Sequence, residues 1–66
     1  MAAGFEIEIA NPNTPPEIWY ARICDANDAM DIVSVAANST AVSVSRVLTE
    51  MQGANLKLEV GEVRRA

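Results

Sequence analysis

At Phe5-Glu6-Ile7-Glu8-Ile9 the chain alternates strictly: Phe5, Ile7 and Ile9 fall on one side, Glu6 and Glu8 on the other. A period of two with one wet face predicts a strand of an antiparallel sheet. Pro12, Pro15 and Pro16 end it. Proline lacks the N–H a ladder needs and pushes the residue before it to extended geometry. From Ile18 to Cys24 the alternation resumes, with Trp19, Ala21 and Ile23 on one side and Ile18, Tyr20, Arg22 and Cys24 on the other. This is a second strand, and the prolines are a stiff connection between the two. Trp19 is expected to be the heaviest core anchor. Arg22 is expected to face outward beside Glu6 and Glu8, in a cross-strand charge pair worth about 0.2–1 kcal/mol.

Beyond Cys24 the period changes to that of a helix. At 100° per residue, Ala26, Ala29, Met30, Ile32, Val33, Ala36 and Ala37 share one side. Asn27, Asp28, Asp31, Ser34 and Asn38 share the other, with Val35 stray among them. The stripe predicts an amphipathic helix over 25–38, capped by Asp25 or Asn27 and closed by Asn38, which tolerates left-handed geometry. Asp28 and Asp31 sit in or near the first turn, where the helix dipole favours anions.

Residues 41–50 support two readings. Val42 and Val44 alternate with Ser43 and Ser45 as in a strand, but the phase breaks because Val47 and Leu48 are adjacent. A bulge near Ser45-Arg46 accounts for that. So does a short helix over 46–52, capped by Ser45 and ended by Gly53. Leu56, Leu58 and Val60 alternate again and predict a last strand, released by Gly61. The fold expected is one small α+β domain over residues 1–66, in the order ββαββ. A mainly antiparallel four-stranded sheet carries one amphipathic helix on one face, with the short second helix at 46–52 as an option. The uncovered face is expected to hold Glu6, Glu8, Ile18, Tyr20, Arg22, Ser43, Ser45, Lys57 and Glu59.

Composition sharpens this picture. A chain of 66 residues buries little surface, and half of its residues are hydrophobic, which places it among globular rather than disordered chains. The single cysteine, Cys24, cannot close an internal disulfide, and with no histidine it cannot build a structural zinc site. Stability is then left to close packing or association. No apolar run approaches the ~18 residues of a membrane span. Glu6 and Glu8 interrupt the stretch a signal peptide would need, so a cytoplasmic location is expected.

The net charge of −4 is unevenly spread. Residues 1–31 hold six acids against the single base Arg22, and residues 32–66 hold three acids against four bases. A basic face of the kind duplex binders display is missing, whereas an acidic half can meet a basic protein. Catalysis finds little support. Cys24 has no base to make it a thiolate and reads as a quiet, buried or edge thiol. The carboxylates lie on expected open surfaces rather than in a pocket that would shift their pKa values. No calcium-loop spacing or glycine-rich phosphate loop is present. The expectation is therefore a non-enzyme without cofactor or metal. Its function would be to bind a larger protein with a basic surface, without direct contact to nucleic acid or membrane.

Small size, acidity and lack of catalytic residues make the chain similar to phage-encoded inhibitor proteins, including anti-CRISPR proteins. The resemblance lies in size and charge along the whole chain and in no motif. It implies carboxylates presented where a nucleic-acid phosphate would bind, with Glu6, Glu8, Asp25, Asp28 and Asp31 as the mimics and Ile18, Tyr20 and Val35 as apolar contacts. One alternative is a regulatory or assembly subunit, possible as a homodimer paired through an edge strand. Another is an RNA- or ligand-binding module, for which Tyr20 flanked by Arg22 is the one candidate.

Overall fold

The computed structural model describes residues 3–66. Four strands form one antiparallel sheet: β1 (Gly4–Ile9), β2 (Glu17–Ala21), β3 (Val42–Leu48) and β4 (Val63–Arg65). The spatial order is β3-β1-β2-β4. Two helices, α1 (Ala26–Ala37) and α2 (Glu50–Asn55), flank β3 in sequence. Strand β1 is central and pairs on both sides, which is why its three apolar residues are the deepest. Phe5, Ile7 and Ile9 lie with Ala21 against Ala29 and Val33 of α1. Trp19, Ile23, Ala26, Met30, Ala37, Val42 and Val63 close the rim of this core.

Over residues 4–38 the elements are those expected, except that β2 ends at Ala21 rather than running to Cys24. The proline segment is an exposed connection between neighbouring strands, with Ile7 opposite Trp19. Asp25 caps α1 by accepting the Asp28 N–H at 3.1 Å, and Asn38 ends it at φ 54°. Three residues depart from their expected burial. Trp19 is on the core side but at its rim, and its Nε1–H donates to Glu17 Oε1 at 2.7 Å. Ile32 is 44% exposed and Ala36 is exposed too, because the sheet covers only the strip of α1 marked by Ala26, Ala29, Met30, Val33 and Ala37.

The second half departs further. Strand β3 runs through Leu48 with a bulge: Glu6 faces Arg46 and Ile7 faces Val44, so Ser45 is the extra residue. The short helix is not at 46–52. It starts at Glu50, because Thr49 and Gln52 form a capping box: Thr49 N–H donates to Gln52 Oε1 at 2.9 Å, and Gln52 N–H to Thr49 Oγ1 at 3.2 Å. Gly53 lies inside that helix instead of ending it, and a Cβ there would sit 3.4 Å from Arg22 Nε. Residues 56–60 are not the last strand either. Lys57 takes φ 58°, and two arginines capture the carbonyls a ladder would use. Arg22 Nη1 donates to Leu58 O at 2.6 Å and Arg64 Nη1 to Leu56 O at 2.8 Å. The fourth strand forms only at Val63–Arg65.

This segment partly roofs the second sheet face. Leu48 and Leu58 are buried there, 1% and 2% exposed, away from the main core. Gly4 sits where β1 passes β2: a Cβ on it would collide with Ala21 O. Among the described residues, no helix is long and apolar enough to cross a membrane.

Candidate functional site

The register lines up four side chains across the open part of the second sheet face. Glu6 is opposite Arg46 on one side and Tyr20 on the other, and Tyr20 is opposite Arg64. The row therefore reads Arg46, Glu6, Tyr20, Arg64. Arg46 Nε stands 3.4 Å from Glu6 Oε1, and the Glu6 side chain is only 14% exposed. Glu6 is thus neutralised by a base on β3. The expected partner Arg22 is instead tucked beside Gly53 and bonded to Leu58 O. The next row holds Ser43, Glu8 and Ile18. Where α2 meets this face, a shallow hollow is lined by Tyr20, Arg46, Leu48, Gln52, Asn55 and Leu56.

The other expected contact residues lie on α1, on the opposite side of the sheet. Asp25, Asp28 and Asp31 are exposed, and none pairs with a base among the described residues. The helix carries no Lys or Arg. Six residues of helix rise about 9 Å, so three carboxylates crowd a short length of surface. Asp25 spends one oxygen on the cap, and Asp28 gains from the helix N-terminus. Val35 is 83% exposed and Ile32 44% exposed; with Asp28 they follow the i, i+4, i+7 spacing of one helix face. The outer side of α1 therefore combines unpaired negative charge with bare apolar surface.

Comparison with protein-family models, curated proteins and solved structures gives no significant match. The eight residues singled out from the sequence form two groups on opposite faces: Glu6, Glu8, Ile18 and Tyr20 on one, Asp25, Asp28, Asp31 and Val35 on the other. They do not make one acidic face. Cys24 is exposed rather than buried, directly before the α1 cap. Across the sheet Tyr20 is opposite Glu6 on one side and Arg64 on the other, while Arg64 is paired with Glu62 and the Arg22 guanidinium is bonded to Leu58 O.

Three contributors were missed from the sequence. The helical angle of Ile32 places it inward, yet it is 44% exposed. Arg46 and Arg64 reach the second face through a bulge and a three-residue strand that periodicity does not mark. One carboxyl is perturbed: Glu62 lies below the usual glutamate range, chiefly because the Glu59 N–H donates to it at 3.0 Å, with Arg64 adding attraction. It closes a turn and is not part of either surface.

Proposed function

We propose that this is a non-enzymatic protein-binding protein and that the outer face of α1 is its contact surface for a basic partner. The observation that carries the reading is the grouping on one cation-free helix of Asp25, Asp28 and Asp31 with the bare side chains of Ile32 and Val35. Carboxylates steer a basic surface in, and apolar side chains supply burial once docked. Of the five expected phosphate mimics, Glu6 contributes least, since Arg46 already holds it. Asp28 and Asp31 contribute most. If the partner is a nucleic-acid-binding protein, as the likeness to phage inhibitors implies, the α1 carboxylates occupy its phosphate site and nucleic acid competes for it.

A photo-crosslinking residue placed at Val35 or, separately, at Ile18 tests this in host lysate. The reading expects one protein with a basic surface to be captured from Val35 and not from Ile18, with capture suppressed by salt. Capture from Ile18 alone contradicts it and moves the contact to the second sheet face. A second reading, self-association into an assembly subunit, is favoured by one specific feature. β3 is an open edge whose Val44 and Val47 are 37% and 54% exposed.

A further inference from the structure

We propose that β3 pairs antiparallel with β3 of a second copy about a two-fold axis between Ser45 and Arg46, with Val44 of each chain opposite Val47 of the other. The proposal rests on the self-association reading and assigns its edge, its register and its contact residues. The two edges of the sheet are not equivalent. β4 is three residues long, and two of them are arginines, Arg64 and Arg65. Set against itself it offers at most three residue pairs, and its arginines are already engaged, Arg64 by Glu62 at 3.3 Å and Arg65 by Glu17 at 3.4 Å. Charged residues on a short strand are a usual guard against edge pairing. β3 is seven residues long and its one charge, Arg46, is matched by Glu6 at 3.4 Å. In a chain of net charge −4 it is an edge free of acids, and the two Arg46 that flank the axis are each held by their own Glu6.

The bulge selects the register. On β3, Val42, Val44 and Val47 sit opposite Ile9, Ile7 and Phe5 and so share the helix-side face; Ser43, Arg46 and Leu48 share the other. Antiparallel partners must lie on the same face. An axis between Ser45 and Arg46 meets that condition: Val44 opposes Val47, Ser43 opposes Leu48, and the two bulges face each other at the centre. An axis through Ser45 fails, because it sets Val44 against Arg46 on the wrong face. The chosen register also buries the two exposed valines of each copy against the two of the other. The sheet then becomes eight-stranded, with both α1 helices on one side. The contact is short compared with the ~1,200–2,000 Å² of stable interfaces, so the dimer exchanges with monomer.

The test uses the full chain with Cys24→Ser. Sedimentation across a concentration series is expected to show the mass rising from 7.1 kDa towards twice that value. Val47→Lys is expected to keep the circular dichroism spectrum and hold the chain monomeric. Oxidation of a mixture of Val44→Cys and Val47→Cys chains is expected to give the 44–47 disulfide, since opposed Cα atoms lie within bridging range. Val44→Cys alone is expected to give none. Val44 and Val47 lie opposite Ile7 and Phe5, an offset of about 7 Å along the strand. With the spacing between strands, this sets the two Cα atoms about 8 Å apart, beyond bridging range. A chain that stays monomeric at the highest concentration overturns both the register and self-association. A dimer that survives Val47→Lys, or that cross-links Val44→Cys to itself, overturns the register and edge while leaving self-association standing.

Discussion

Side-chain depth decides which single changes matter. Ile7 is fully buried between two paired strands and α1, so Ile7→Ala is expected to cost about 2–5 kcal/mol. That is a large share of what a 66-residue domain holds. Trp19→Ala is expected to cost less than Ile7→Ala, because the indole lies at the rim and gives up one hydrogen bond to Glu17. Urea melts of the two variants check the order; the reverse order would place the centre of the core at Trp19. Gly4→Ala is expected to shift the melt as well, since a methyl there meets Ala21 O. Glu62 sets a pH response. Its pKa is lowered in the folded state by the Glu59 N–H and Arg64, so its contribution is present above about pH 4.3, the unfolded value, and lost as pH falls through the lower folded value. Amide exchange at Glu59 across an acid titration is expected to accelerate in that window for wild type and to be already fast in Glu62→Gln.

At the scale of elements, what could be read from the sequence depended on length and capping. β1, β2 and α1 each carry several turns or pleats of unbroken period, and Asp25 and Asn38 mark the helix ends chemically. The second half lacks those advantages. Ser45 is a bulge, so one strand shows two phases. Leu56, Leu58 and Val60 imitate a strand, yet only Leu58 is buried, and Val60 is 81% exposed. What holds that segment is arginine bonding to carbonyls from 36 and 8 residues away, which no local pattern encodes. The Thr49-x-x-Gln52 capping box was readable and outweighs the Ser45 cap. Thr49→Ala is therefore expected to cost about 1 kcal/mol, while Ser45→Ala leaves α2 unchanged; denaturant midpoints separate the two. Replacing Pro15 and Pro16 by Ala is expected to lower stability by about 0.4–1 kcal/mol each through the unfolded state, with partner binding retained. A loss of binding at unchanged stability would make the loop part of the contact.

For the whole molecule, the sign of the charge was legible and its layout was not. The sequence places six acids in residues 1–31. Pairing then divides them. Glu6 goes to Arg46 and Glu17 to Arg65, Glu8 lies on the second sheet face, and the three aspartates around α1 pair with no base among the described residues. These aspartates thus belong to one helix face rather than to an acidic half. Dimerisation through β3 would set two such faces on one side of a continuous sheet. Exposed charge pairs are worth only about 0–1 kcal/mol each. Steering by several acids together therefore shows mainly in association rate. The direct measurement takes the protein captured through Val35 and follows its association with wild type and with Asp28→Lys/Asp31→Lys over a salt series. Wild type is expected to associate several-fold faster at low salt, with the two rates converging as the screening length falls towards about 8 Å. Coincident rates at low salt, with the double variant still folded, would contradict α1 as the docking face.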